Sequence, residues 1–300
     1  MDERIRSNGL YNFKKNRPLY LMLLPFMIIF FTFTILPVGM AIFTSFTQYN
    51  VLQPPEFVGL RNFYRLFLED ELFILSLRNT FELAVLIGPI GYILSFLMAW
   101  LINELPPKLR SLLTIIFYTP SMSGAAIMVF TVLFSSDPFG WANAWLLSTG
   151  LREEPILFFS DPDFMVTLVV IANIWMSLGL GFLSFVAGLQ TVDKTQFEAG
   201  QIDGISNRWQ ELWFITLPNM RPQLMFGSVM TITGALAINT QNLTGFPSAQ
   251  YRTHTIVNHL QDFGSVRMEM GYASAIALIL LFLMLGCNKL FQRFLRRVGT

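Results

Sequence analysis

Residues 19–46 read LYLMLLPFMIIFFTFTILPVGMAIFTSF, 28 positions without one charged side chain. A helix needs about 20 apolar residues to cross the roughly 30 Å hydrocarbon layer of a bilayer, so this run is long enough to span it. Arg4, Arg6, Lys14, Lys15 and Arg17 precede the run. It is far longer than the core of a secretory signal, and no small-residue cleavage site follows, so it is expected to stay as an anchor. Working outward, five further stretches are long and apolar enough to span: residues 80–102, 112–133, 164–189, 222–239 and 272–290. Their cores hold almost no charge, Glu82 near one end of the second being the exception. Pro37, Pro89 and Pro120 fall inside these runs, where neighbouring helices of a membrane bundle re-satisfy the freed carbonyls. Thr231, Thr233, Asn239 and Gln241 dilute the fifth. The expected fold is all-α, a polytopic membrane bundle of about six transmembrane helices.

Composition agrees. Apolar residues make up 53% of the chain and charged residues 13%, against about 25% charged in a soluble domain. The single cysteine, Cys287, excludes an internal disulfide framework. His254 and His259 are five apart; on one helix they would point about 140° from each other, a poor geometry for sharing a metal, and no metal site is expected. Lys and Arg alternate by loop. Fourteen fall on one side (the N-terminal segment, 103–111, 190–221 and the C-terminus) and six on the other. Excess positive charge marks the cytoplasmic side, so both termini are expected inside. This gives a cytoplasmic N-terminal segment (1–18), a transmembrane domain (19–291) with a cytoplasmic loop at 190–221, and a basic cytoplasmic tail (292–300). Outer loops carrying Phe139, Trp141, Phe158 and Phe159 are expected to form interfacial caps. No internal repeat stands out.

The missing charges bear on energy. Ion-driven carriers place ionisable groups at membrane depth and are commonly built from repeats with broken helices, and neither feature is visible here. No GxxxxGK[ST] loop is present to cradle nucleotide phosphates. The chain is therefore expected to be no enzyme and to hold no cofactor, ATP being bound by a separate partner ATPase that docks on the cytoplasmic face.

The 190–221 loop suits that docking. Thr195 with Glu198 three residues on has the capping-box pattern. The first helix is expected to stop at Asp203-Gly204, where glycine suits the left-handed position after a helix. Ser206 is expected to cap a second helix carrying Trp209, Leu212 and Trp213, and Pro218 precedes the fifth span. Phe197 and Ile202 are expected to be exposed for a partner's cleft.

Phe197-Glu-Ala-Gly-Gln-Ile-Asp-Gly204, followed by Ile215-Thr-Leu-Pro218, resembles the EAA motif of permease subunits of binding-protein-dependent ABC importers. The resemblance implies that this helix inserts into a cleft of the ATPase subunit and transmits its closing, with Phe197, Glu198, Ala199, Gly200, Asp203, Gly204, Leu217 and Pro218 as the coupling residues. Gly200 replaces the usual second Ala, and Ile205 and Leu212 replace the usual Ala and Phe. Gly200 lowers helix propensity by up to about 1 kcal/mol relative to Ala, so somewhat weaker docking, or a helix that the partner must order, is expected. Phe57-Val-Gly-Leu-Arg-Asn-Phe63, Arg78-Asn-Thr80, Asp137-Pro-Phe-Gly140 with Asn143, Thr244-Gly-Phe-Pro247 and Gly271-Tyr-Ala-Ser-Ala275 look, in order, like landmarks of the carbohydrate-uptake branch. Together they cover most of residues 18–297.

Several residues carry two readings. Glu198 is a capping partner of Thr195 or, as the resemblance implies, a contact with a basic ATPase residue. Asp203 is a turn residue or an ion-pair partner. Asn173 and Ser177, one turn apart, hydrogen-bond across helices at roughly 0.6 kcal/mol each, or line the translocation pathway with Leu180, as the resemblance implies. Tyr118 and Ser121 beside Pro120 occupy a similar place in the pattern. Asn239, Gln241 and Asn242 are pore-lining or interfacial. The resemblance implies a heterodimer with a second permease subunit, two ATPase subunits, an extracytoplasmic solute-binding protein and the plasma (inner) membrane of a prokaryote; nothing points to nucleic acid. The implied cargo is a sugar or oligosaccharide, with a glycerol phosphate as the alternative; a membrane enzyme or signalling protein is the rival class.

Overall fold

A computed structural model describes residues 16–295. The chain forms two compact units, one of residues up to Tyr64 with Phe263–Leu278, the other of Arg65–Asp262 with the segment from Ile279 onward. The first unit opens with α1 (Arg17–Ser45), a 29-residue apolar helix with one wider π turn at Phe31–Ile35. Its residues are exposed or half-buried except Ser45. After α1 the chain makes a two-residue antiparallel pair, β1 (Thr47–Gln48) with β2 (Glu56–Phe57). Asn62 closes this turn, its Nδ2 donating to the carbonyls of Ser45 and Thr47, both at 2.9 Å. Gly271 packs where a Cβ would fall 2.1 Å from the Thr47 carbonyl oxygen, so no side chain fits there. Helix α2 (Arg61–Leu68) follows the pair.

The second unit is built on α3 (Glu71–Asn103), 33 residues long and capped by Asp70, whose carboxylate accepts from the Phe73 N–H. At 1.5 Å per residue α3 reaches about 50 Å, well beyond the hydrocarbon layer. Then come α4 (Pro107–Met122), α5 (Gly124–Leu133), the short α6 (Trp141–Ser148), α7 (Pro162–Met176) and α8 (Leu180–Thr191). The 190–221 loop holds α9 (Lys194–Ile202), α10 (Arg208–Glu211) running on through a π turn at Leu212–Thr216, and α11 (Leu217–Asn219). Next are α12 (Arg221–Leu236), the short α13 (Gln241–Thr244) and α14 (Ile256–Gln261). Helix α15 (Met270–Leu295) ends the described chain.

Helices α3, α8 and α12 form the centre. Phe96, Phe182, Phe185, Leu189, Met220 and Leu224 are buried together between them. Small residues let these helices approach: a Cβ on Gly227 would lie 2.3 Å from the Phe185 ring, and one on Gly91 would lie 2.8 Å from Ser177. Lipid offers no hydrophobic driving force between helices, so such close contact is what holds them.

Two expected spans differ from straight helices. The third bends by 85° between α4 and α5, because Pro120 removes a hydrogen bond in the last turn of α4 and Ser123 is extended (φ −115, ψ 110). The fourth is interrupted at residues 177–179, where the Ser177 hydroxyl donates to the Ile174 carbonyl at 2.7 Å ahead of Gly179. Broken helices are therefore present, contrary to the expectation from sequence. Among the described residues four helices meet the length and apolarity of a span, or five if the bent pair counts as one, against the expected six. Helix α12 has 16 residues, about 24 Å, and falls short.

Candidate functional site

The 190–221 loop folds as a helix–Gly–helix, with different caps from those expected. Asp193 caps α9, its carboxylate accepting from the Thr195 N–H at 3.0 Å. Thr195 therefore lies inside the helix, and the capping-box role for Glu198 is lost; Glu198 is exposed. At the other end Ile205 N–H donates to the Gly200 carbonyl (2.9 Å) and Gly204 N–H to that of Gln201 (3.3 Å), with Gly204 at φ +95°. This is a Schellman closure, and its left-handed position needs glycine. Asn207, not Ser206, caps α10, accepting from the Gln210 N–H at 2.9 Å, while the Gln210 side chain accepts from Ser206 N–H at 2.9 Å.

The two arms are packed together. A Cβ on Gly200 would sit 2.7 Å from Ile215 Cδ1 and 3.0 Å from Ile205 Cδ1. Glycine here makes room for two isoleucines, which accounts for both departures at 200 and 205. Asn219 adds a polar clasp, its Nδ2 donating to Gln196 Oε1 (2.6 Å) and to the Ile215 carbonyl (2.7 Å). Leu212, Ile215 and Thr216 are buried, Leu217 packs half-buried on the central core, and Pro218 lies in the first turn of α11. Arg208 pairs with Glu104 at the end of α3 (2.9 Å) and with Glu211 (2.7 Å). The Glu211 hydrogen bond, then the Glu104 charge, hold its guanidinium above the usual arginine range. Phe197 is half-buried and lines a cleft of about 530 Å³ with Trp100, Glu104, Arg110 and Arg208, so it is not the exposed contact expected. The tip that faces outward is Glu198, Ala199, Ile202 and Asp203, with Ile202 87% exposed.

A second site is a cavity of about 260 Å³ that brings together Ser121, Asn173, Ser177 and Leu180, four of the six pathway candidates, with Met230 and Thr231. Both helix interruptions border it: Ser121 is in the last turn of α4, Ser177 and Gly179 belong to the α7–α8 break, and Leu180 and Gly181 open α8. None of its lining residues is charged. The polar groups bond first to their own helices. Asn173 Nδ2 donates to Val169 O (2.8 Å), Ser121 Oγ to Tyr118 O (2.7 Å) and Thr231 Oγ1 to Gly227 O (2.9 Å). Among the described residues Asn173 makes no cross-helix bond of the kind expected; Ser177 makes a long one, 3.5 Å, to the Gly91 carbonyl.

Tyr118 and Asn239 are not brought to this cavity. Tyr118 packs against the central core, and Asn239 bridges Gln261 Oε1 (2.7 Å) and the Gln241 N–H (2.9 Å). Thr231 was readable from sequence only as a polar break in an apolar run; its place one turn after Gly227 was the available signal. Gln196, Asn219 and Glu104 were not legible as partners, because each bond joins residues distant in sequence.

Several landmarks prove to be fasteners. Asn79 Nδ2 donates to the Tyr251 and His254 carbonyls (2.8 and 3.1 Å), and the Thr80 hydroxyl accepts from the Ile256 N–H (2.9 Å). Asn143 ties Ser135, Asp137 and Ile156 through their carbonyls and accepts from the Ile156 N–H. Glu82 is paired bidentately with Arg252, both contacts at 2.7 Å. His254 and His259 touch, Nε2 to Nδ1 at 3.1 Å, and His259 Nε2 lies 3.0 Å from Asp70 Oδ2. The divergence expected from helical spacing fails because His254 precedes Thr255, the cap of α14. Among the described residues no three His, Cys, Asp or Glu side chains converge as a metal site.

Residues 89–299 match the family of binding-protein-dependent transport system inner membrane components. The probable ABC transporter permease protein YesP of Bacillus subtilis (strain 168) is 30% identical over 288 residues, covering 92% of this chain and 91% of that protein. The arabinooligosaccharides transport system permease protein AraP of Halalkalibacterium halodurans is 28% identical, covering 93% and 88%. A chain of a bacterial alginate ABC transporter, crystallised in complex with an alginate pentasaccharide-bound periplasmic protein, superposes with a TM-score of 0.77 at 25% identity, over 97% of this chain and 98% of that one.

Proposed function

This chain belongs to the family of binding-protein-dependent transport system inner membrane components, and we propose that it forms half of the translocation pathway for a neutral sugar or oligosaccharide. It is a permease subunit of an ABC importer and not itself an enzyme. The other half of the path would come from a second permease subunit. Two ATPase subunits bind ATP on the cytoplasmic side, and an extracytoplasmic binding protein delivers the solute. The assembly sits in the plasma membrane of a prokaryote, with both termini and the 190–221 loop inside. The resemblance to AraP and to the alginate importer supports a carbohydrate cargo.

The observation that carries this reading is the acid-tipped helix pair. Its arms are packed through Gly200, Ile205 and Ile215, so a push on Glu198, Ile202 and Asp203 is delivered to α11 and α12 without being absorbed in the loop. Helix α12 contributes Met230 and Thr231 to the cavity, which links the push to the site where access alternates. The uncharged lining favours a neutral sugar over the glycerol phosphate alternative, since a phosphate without a cation nearby is costly to desolvate.

Glu198→Lys combined with Asp203→Lys should abolish ATP-dependent uptake in vesicles holding the whole importer, with the chain still inserted and assembled. Wild-type uptake by that double variant removes the coupling role.

A further inference from the structure

The second arm of the loop has an unusual exposed face. Leu212, Ile215 and Thr216 turn inward and are at most 7% exposed, while Trp209, Trp213 and Phe214 are 66%, 63% and 65% exposed. A helix facing water carries polar residues on its open side; this one carries three aromatic rings. Their level is fixed by two contacts. Trp209 packs on Trp100 with ring centroids 5.4 Å apart, and Arg208 is paired with Glu104, the residue that ends α3. Helix α3 is long enough and apolar enough to cross the bilayer, and Trp100 lies in its last turn, at one end of that span. The same end of the bundle continues as an apolar outer surface, with Leu101, Leu109 and Leu112 exposed by 57%, 42% and 53%.

We propose that residues 208–214 are an interfacial anchor, with Trp209, Trp213 and Phe214 seated in the headgroup and upper acyl region of the adjacent leaflet. Trp rings favour this layer, where an apolar body and a polar N–H are both satisfied. The occupant is lipid, not the ATPase: the open face carries aromatic rings, its Trp209 packs on Trp100 of the membrane-spanning α3, and Arg208, its charged neighbour, is committed to Glu104 and Glu211. The anchor gives the loop a fixed depth. The first arm, packed on Ile215, is then held at a set height from the membrane for its partner.

The test uses the whole importer in lipid nanodiscs, with Cys287 replaced by serine and a nitroxide placed at Phe214→Cys, Trp213→Cys or, as the outward-facing control, Ile202→Cys. At 213 and 214 collisions with oxygen should exceed collisions with a water-soluble nickel chelate several-fold, with the reverse at 202 when the ATPase is absent. Chelate-dominated collisions at 213 and 214 overturn the proposal. So do low collisions with both probes, which mean that protein covers the face. If the cysteine variants do not assemble, lipids brominated high on the acyl chains should quench the native tryptophan emission, and the quenchable share should fall in Trp213→Phe. An unchanged share in that variant overturns the anchor equally.

Discussion

Gly227→Ala is the sharpest perturbation of the helix packing. The new Cβ would lie 2.3 and 2.5 Å from two atoms of the Phe185 ring, where non-bonded carbons prefer at least about 3.5 Å. The ring must therefore give way by more than about 1 Å. Phe185 is 0% exposed and packed edge-on against both Tyr92 and Phe96, which must shift with it. Overpacking of this kind costs about 1–3 kcal/mol, with this site at the upper end. The gain in helix propensity returns up to about 1 kcal/mol. The net expectation is a loss of about 1–2 kcal/mol, read as a lower thermal midpoint of the purified importer in detergent and in nanodiscs. Phe185→Leu alone leaves a cavity and is also destabilising. Combined, the two should compensate, with a coupling of about 0.5–3 kcal/mol opposing the sum of the single effects. A Gly227→Ala protein as stable as wild type, with Phe185→Leu adding its full single-variant loss, would refute the packing argument.

Three further outcomes follow from particular contacts. Gly204→Ala should cost about 1–2 kcal/mol in the loop, the strain of a left-handed alanine, and should lower uptake per ATP hydrolysed, while Gly204→Asn is better tolerated; equal behaviour of the two would contradict the φ +95° backbone. Arg252→Leu leaves Glu82 without its bidentate partner. With both side chains about a third exposed, the loss should be about 1–3 kcal/mol, and the exchanged pair Glu82→Arg with Arg252→Glu should recover part of it; no recovery would mean that the pair acts otherwise than by charge. Asn173→Leu should reduce solute uptake severalfold while binding-protein-stimulated ATP hydrolysis persists, and undiminished uptake would take Asn173 out of the pathway.

What the sequence made legible and what it hid divide along a physical line. Long apolar runs, the stop at Asp203-Gly204 and the motif at 197–204 follow from local rules, so they could be read one segment at a time. The breaks at Ser123 and Ser177–Gly179 were hidden because proline and glycine within apolar runs are common in membrane helices that do not break. The caps at Asp193 and Asn207 were misplaced by one or two residues, since Thr195 and Ser206 are also capping types and helix ends read from sequence shift by that much. Long-range bonds such as Gln196–Asn219 and Arg208–Glu104 leave no local trace. The meeting of His254 and His259 was missed by assuming one helix where the chain turns.

The landmarks that resemble the carbohydrate branch act as fasteners in this structure, and this explains why the role of the chain is easier to read than its cargo. Asn62, Asn79 and Asn143 each satisfy backbone carbonyls that would otherwise be stranded in loops. A buried carbonyl left without a donor costs about 1–3 kcal/mol, so those positions admit few substitutes and stand out as motifs. The cavity is under a different demand. Ser121, Asn173, Ser177 and Thr231 give a donor each to their own helices, and that bond would be made equally well by other small polar residues. Their contribution to the fold leaves the choice of side chain loose. Under the proposed function, the solute would read only the lone pairs and N–H left over, and cargo preference would be set by a few interchangeable groups and by the partner half of the path. Exchanging these four residues should therefore retune which solute passes without disturbing assembly, whereas exchanging the three asparagines should disturb assembly whatever the solute.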